Sequence, residues 1–486
     1  MRTLIKKDIC IVGSGFCGYT AYKNLKDKNI DLILIEGGNY KTPNNSEEQK
    51  FYSVKNNKFV SNIKLGNKIF NINNSLDASY RDRRYTLGGS AEAWSGWIKP
   101  FEKSTYENKF EEFSNQSWQN NNLSRFDKES LELLNSPILD FDPNKVAFAL
   151  NFDLPELPDG LYYTVYSWAK SPLRLKNYWS DKATSDLEKL NNNQNVLYSF
   201  RLIDLKIKDK KVNSLIFEGK DKSLLEVEAN TFIIALGGIE NTRFTNILNS
   251  KDKLKKYPKE LVGNFQEHPH LYDMAKFNFS ERQIPDILKS RIPILTNENI
   301  LKGKVKIFIA AWDGIGTPKV TFEIKQPQNK FKSWIKSKLK NETYYDCHVH
   351  LRCEQSPKLG SKINFDKNNT KLNWEVKDTD FKFYSDYLKR FGTYMKSMNY
   401  LKDFKISNSS YANYTFPKQA YGGAHHMGTV PLTIDNSILN RNFSHCKYKN
   451  TYIVGSSSFP TSGFENPTHC AISTTLAALE DIKKNI

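Results

Sequence analysis

Residues 8–12, DICIV, form a short apolar run that ends in the glycine-rich stretch GSGFCG at 13–18. YTAYKNLKDKN follows and reads as a helix. DLILIEGG at 31–38 is a second apolar run closed by glycines. Strands that are apolar at nearly every position suit a parallel sheet covered on both faces, so the pattern predicts strand, helix, strand. The signature returns at 231–244, TFIIALGGIENTRF, and again in NTYIVGSSS at 450–458. Other segments alternate instead. VLYSFRLIDLKIKDKKVNSLIFEGK at 196–220 predicts two strands around a turn at KDKK, and DCHVHLRCEQS at 346–356 predicts a strand of a separate sheet. Near the end, NPT opens the amphipathic helix AISTTLAALEDI, with Asn466 suited to the N-cap and Pro467 to the first helical position.

The first glycine stretch has the spacing of a nucleotide loop. Gly13, Gly15 and Gly18 stand in G-x-G-x-x-G order between a predicted strand and a predicted helix. Gly13 allows the tight turn, Gly15 lets a pyrophosphate approach the backbone, and Gly18 lets the helix pack on the sheet. The helix N-terminus offers unpaired N–H groups to phosphate. Glu36 ends the second strand about twenty residues on, where an acid accepts hydrogen bonds from a ribose diol. This spacing leaves NAD and FAD equally open.

Composition narrows the partners. The chain has 486 residues, which predicts two or three intertwined or consecutive domains. Hydrophobic residues make up 39% and charged residues 26%, an ordinary balance for a folded globular protein. No apolar run approaches the roughly 20 residues needed to span a bilayer. The start shows no signal-peptide pattern, so a cytoplasmic protein is expected. The formal charge of +18 would suit an acidic partner. The basic residues are scattered, however, whereas a nucleic-acid footprint is a patch, so no nucleic-acid partner is expected. The densest basic run, KFKSWIKSKLK at 330–340, would suit an amphipathic helix in weak contact with a membrane surface. The six cysteines lack Cys-x-x-Cys or zinc-site spacing and are expected to be reduced. SHC at 444–446 and the pair His348 and His350 lack further ligands, so no metal is expected.

Six segments, in order and spread over the whole chain, resemble the glucose–methanol–choline (GMC) family of FAD-dependent oxidoreductases. They are IVGSGFCG with LIEGG at the start, LGGSAEAWSG at 87–96, ALGGIENTR at 235–243, VGNFQEHPH at 262–270, GGAHHMGT at 422–429 and NTYIVGSSSFPTSGFENPT at 450–468. The GG-x-x-x-x-W form of the second segment resembles the sugar- and polyol-oxidising branch. The resemblance implies an α/β fold with a Rossmann-like three-layer FAD domain built from residues 1–110, 190–272 and 418–486. Residues 111–189 and 273–417 would form an intertwined substrate domain, a mainly antiparallel β-sheet with helices. FAD would be held by Gly13, Gly15, Phe16, Cys17, Gly18, Glu36 and Gly37 at the start, and by Gly88, Gly89, Ser90, Trp94 and Ser95 in the second segment. Leu202, Ala235 and Gly237 would hold it in the middle, and Gly455, Ser456, Pro467 and Thr468 near the end.

The resemblance also implies a catalytic pair, a His from His-x-x-Gly-Thr and a His or Asn in the last segment. Only His425 has Gly428 and Thr429 at that spacing, and Asn466 takes the second place. His426 and His469 are expected to pack or hydrogen-bond. Members that attach the flavin covalently do so through a His just before the Trp of the second segment. Here that position is Ala93, so dissociable FAD is expected. Where the family often continues Gly-Thr with Arg-Met, this chain has Val430, Pro431 and Leu432, which leaves the substrate pocket open.

The chemistry points the same way. Oxidising a CH–OH group moves a proton from oxygen and a hydride from carbon. An imidazole with pKa near 6.5 can take the proton at neutral pH. An amide can hold the hydroxyl oxygen without titrating, the hydride goes to flavin N5, and the helix beginning at Pro467 could set its positive end near N1 and O2 of the reduced flavin. The expected reaction is oxidation of a small molecule, a sugar, polyol or sugar conjugate, with the electron acceptor open. The same scaffold could act on an aliphatic alcohol or fatty acid, or bind flavin without turnover. YYTVYSWAKSPLRLKNYW at 162–179 would suit a cleft cover whose rings stack on a sugar face, or equally an ordinary core and lid.

Overall fold

The computed structural model describes residues 2–26, 29–40, 58–65, 68–71, 85–102, 122–151, 153–169, 195–251, 262–280, 305–314, 317–325, 344–357, 360–365, 369–397, 404–406, 420–432 and 438–486. The basic run at 330–340 and residues 170–179 of the aromatic segment lie outside them.

The apolar runs become one seven-stranded sheet. Arg2–Val12 lies parallel to Leu32–Ile35 on one side, with Ile9 opposite Leu32, and to Leu224–Ile234 on the other, with Ile9 opposite Thr231. Val196–Leu197 extends the parallel part beyond Leu32–Ile35. The far edge of Leu224–Ile234 has two neighbours. Its first half pairs antiparallel with Lys211–Gly219, and its last residues pair parallel with Thr451–Ile453. Lys211–Gly219 forms a hairpin with Phe200–Lys208. Asp209 and Lys210 both take positive φ, at 50° and 57°, the geometry that lets a two-residue turn follow strand twist. Ile9, Ile11, Leu34, Ile35, Phe232, Ile233 and Ile453 are buried in one core, which explains why these strands carry no polar alternation.

The helix Phe16–Leu25 packs on that sheet and against the last helix, Pro467–Lys484. Gly18 makes this possible, because a Cβ there would lie 1.8 Å from the Gly13 carbonyl oxygen. Gly18→Ala is therefore expected to push the helix off the loop, costing about 3 kcal/mol and weakening nucleotide binding together with stability. Chemical denaturation and FAD titration of the variant would check both. Gly13 itself sits at φ +96°, with its α-carbon face against Ala235 O, so only glycine fits the turn.

A second sheet of eight strands, antiparallel throughout, forms the other layer. Its centre is Pro269–Ser280, Tyr344–Cys353, Val320–Lys325, Val305–Ala311 and Leu161–Trp168 in that order, with Lys405–Ile406 and Trp97–Ile98 at the ends and Ala420–Gly422 pairing the start of Pro269–Ser280. Helix Asp378–Ser397 buries Phe381, Tyr384, Leu388 and Phe391 at helical spacing beneath it, and Phe391 stacks on Phe322 at 4.3 Å. A four-stranded sheet, unforeseen from the pattern, joins Lys58–Leu65 and Lys68–Asn71 to Lys362–Phe365 and Asn369–Val376. Among the described residues no helix is long and apolar enough to cross a membrane.

Candidate active site

A cavity of about 530 Å³ opens where the carboxyl ends of the parallel strands meet the second sheet. Gly13, Gly15, Phe16 and Cys17 line it from the first loop, and Glu36 and Gly37 from the second strand. Gly89, Ser90, Trp94 and Ser95 close it from the segment at 87–96, with the Trp94 ring edge-on to Phe16 at 5.1 Å. Leu202, Ala235 and Gly237, then Gly455, Ser456, Pro467 and Thr468, complete the walls. Gly18 and Gly88 stand behind the wall. Gly18 is the helix-packing contact, and Gly88, at φ +88°, donates its N–H to Ser14 Oγ at 2.8 Å. Tyr85, Phe200, Arg201 and Arg243 also line the cavity and were not singled out from the sequence, and His426, expected only to pack or hydrogen-bond, lines it as well.

The cavity fits a flavin dinucleotide. Its volume lies in the range of small-molecule and cofactor sites. A Cβ on Gly15 would meet nothing nearer than Gly88 O at 4.0 Å, and one on Gly237 would meet nothing within 4 Å, so backbone is open to an approaching phosphate at both loops. Neither Gly15 nor Asn466 caps its helix with a side-chain hydrogen bond, leaving helix-start N–H groups for a ligand. Glu36 is more committed than the ribose role suggests. Oε2 accepts from Ser14 N at 2.9 Å and Ser14 Oγ at 2.6 Å, and Oε1 accepts from Gly38 N at 2.7 Å. Burial pushes its carboxyl up, against those hydrogen bonds. Its role in the structure is to tie the glycine loop to the end of the second strand.

The two adjacent histidines part company. The ring of His425 meets those of His268 and His270, at 4.8 and 6.2 Å between centroids, and its Nδ1 lies 2.7 Å from His268 Nδ1. His426 instead tilts against Phe265 at 5.7 Å, and its carbonyl accepts from Ser456 Oγ at 2.8 Å. Glu267, buried at 3% exposure, holds this loop by its backbone. Its carboxylate accepts from His268 N at 2.8 Å, His425 N at 2.9 Å and Gly423 N at 3.1 Å. Beyond, Gly428 N donates to Ser456 O at 3.0 Å and Val430 N to Ser457 O at 2.9 Å, sewing the loop to the 455–458 turn. Burial, then the neighbouring charges of His268, His270, Arg352 and His426, hold the His425 imidazole well below its ordinary pKa, so it is neutral and able to accept a proton.

Asn466 stands at the N-cap position with extended backbone, but it does not cap. Its Nδ2 donates to Trp97 O at 3.3 Å, across to the second sheet, which corrects the capping role expected from the sequence. A buried ionic cluster fixes the approach to it. Glu102 accepts from Lys99 at 3.0 Å and Lys319 at 3.3 Å, and its own N–H donates to Glu465 Oε1 at 2.9 Å. Burial raises the Glu102 carboxyl, but the two lysines overcome this and hold it below its ordinary value. His469 is structural, fully buried with Nε2 3.2 Å from Asp127 O. His348 pairs with Asp273 at 2.6 Å, and among the described residues no cluster could hold a metal ion. The cysteines whose side chains are described, Cys10, Cys17, Cys353, Cys446 and Cys470, form no disulfide with one another.

Glycine loop, parallel sheet, antiparallel layer and a histidine at the cavity together fit an FAD-dependent oxidoreductase. Residues 358–475 match the family model described as GMC oxidoreductase. No curated protein matches the chain. Among solved structures it is similar to a formate oxidase at 14% identity and TM-score 0.59, over 99% of both chains. The Aspergillus oryzae formate oxidase, in a structure on FAD modification, matches equally. Pyridoxine 4-oxidase from Mesorbium loti is 13% identical, at TM-score 0.58 over 99% of both chains. At these identities the likeness is one of fold.

Proposed function

We propose that this protein oxidises a CH–OH group of a sugar or polyol, with His425 as the proton acceptor and non-covalently held FAD. The observation that carries the reading is a neutral imidazole on the wall of the cavity that Pro467 and Thr468, at the start of the last helix, also line. Bound FAD would supply the hydride-accepting centre. The chain supplies the rest. Gly13, Gly15 and the helix start at Phe16 hold the phosphates. His425 takes the hydroxyl proton, and Asn466, which is not itself among the lining residues but precedes the lining residue Pro467 and is anchored on Trp97 O, aligns the hydroxyl. Support for a sugar comes from the GG-x-x-x-x-W form of residues 88–94, whose Gly89 and Trp94 line the cavity.

Anaerobic mixing with a panel of sugars, polyols, nucleotide sugars and a long-chain aliphatic alcohol tests the reading. Bleaching of the flavin by a sugar or polyol is expected, and bleaching by the aliphatic alcohol alone would overturn the substrate class. The protein should be yellow, and acid or heat should release FAD into the supernatant, because Ala93 provides no imidazole for a covalent link. Colour that stays with the denatured pellet would refute the non-covalent assignment.

A further inference from the structure

The imidazole of His268 is buried between two fixed partners. Its Nε2 lies 2.8 Å from the carbonyl oxygen of Gly463 and 3.3 Å from that of Ser462. A carbonyl oxygen only accepts, so Nε2 carries the hydrogen. A neutral imidazole has one N–H, which leaves His268 Nδ1 with a bare lone pair. That atom stands 2.7 Å from His425 Nδ1. Two bare lone pairs cannot share that distance, so His425 carries its hydrogen on Nδ1. Its Nε2, on the opposite edge of the ring, is then unprotonated.

We propose that His268 is a positioning residue that locks His425 in the Nδ1–H tautomer, the form whose bare Nε2 can take a proton from a hydroxyl in the cavity. The inference rests on the reading of His425 as the base. The other tautomer would set a donor where the hydroxyl must give its proton up. A misassigned imidazole tautomer is costly for a base, because the lone pair faces away from the reacting atom.

The surroundings keep the argument valid near neutral pH. Burial pushes the His268 imidazole down to about 4, opposed by its hydrogen bonds to Ser462 and Gly463 and by the charge of Glu354. His425 is depressed as well, and the groups facing the pair are His270, Arg352, His426 and the carboxylate of Glu267. Both rings are neutral there, so each has one hydrogen to place. Glu267 fixes the spacing, since it accepts from the backbone N–H of both residues. Ser462 and Gly463 belong to the turn that leads into Asn466, so the chain of hydrogen bonds runs from that turn to His425.

The test is a two-bond proton–nitrogen correlation spectrum of the FAD-loaded protein, labelled in histidine, near neutral pH. It distinguishes a protonated from a bare nitrogen on each ring. His425→Gln and His268→Phe assign the signals. Wild type should show His425 bare at Nε2 and His268 bare at Nδ1. His268→Asn retains an acceptor near the lost Nδ1 and should keep the His425 pattern. His268→Phe removes it and should move the His425 hydrogen to Nε2. A His425 signal that stays bare at Nε2 in His268→Phe overturns the proposal. Should that variant fail to fold, the wild-type spectrum decides alone, and hydrogen on His425 Nε2 or on His268 Nδ1 overturns it. Failure of the underlying reading would look different, as substrate bleaching that survives His425→Gln while the tautomers stand as stated.

Discussion

His425→Ala is expected to lose flavin reduction by substrate roughly 10²–10⁴-fold, the usual cost of removing a positioned base, while still binding FAD. Binding should persist because the walls that suit the dinucleotide are the glycine loop, the segment at 87–96 and the 455–456 turn, none of which includes His425. His426→Ala should lose far less. That ring packs on Phe265, and its contact with the 455–458 turn is made by a backbone carbonyl that alanine keeps. Asn466→Ala should fall between them, losing alignment and the bond to Trp97 O but no helix cap. Stopped-flow reduction of the three variants separates these outcomes. A dead His426→Ala beside a normal His425→Ala would reverse the assignment.

Acidification is the second large effect. His268 is held near 4 in the folded chain against 6.5 for an ordinary imidazole, and His425 and His469 are also depressed, all chiefly by burial. A depressed folded-state value means that the unfolded chain binds protons first. Stability is therefore full above about pH 6.5 and falls as the pH drops toward the folded-state value, by on the order of 3 kcal/mol for His268 alone. Urea unfolding from about pH 7 to about pH 5 should show a midpoint that falls less steeply with acid in His268→Asn than in wild type. Equal slopes would remove His268 as a cause.

The nucleotide half of the site was legible because its signals are local. Glycines at fixed offsets, an acid ending the next strand and a histidine three residues before Gly428 can all be read without knowing what lies opposite. Glu267 and His268 were visible only as part of a family-like segment. Their meaning comes from His425, more than 150 residues away, and from carbonyls at Ser462 and Gly463. The capping role of Asn466 was misjudged for the same reason, since local propensity cannot see the competing acceptor on Trp97. The four-stranded sheet escaped because Lys58–Leu65 finds its parallel partner in Asn369–Val376, some three hundred residues on.

The strand Leu224–Ile234 has one edge against Arg2–Val12 and part of the other against Thr451–Ile453. On the ribosome, Arg2–Val12 can pair early with Leu32–Ile35 on one edge, but its other edge must wait for 224–234, roughly ten to forty seconds at ordinary synthesis rates. The stretch 451–453 arrives later still, followed by the helix that packs on Phe16–Leu25. No nascent fragment ending before that point can carry both the nucleotide loop and the 455–456 turn. The newborn chain therefore passes through a long aggregation-prone interval, and chaperone supply during synthesis, more than the stability of the finished fold, should govern how much holoenzyme a cell can make.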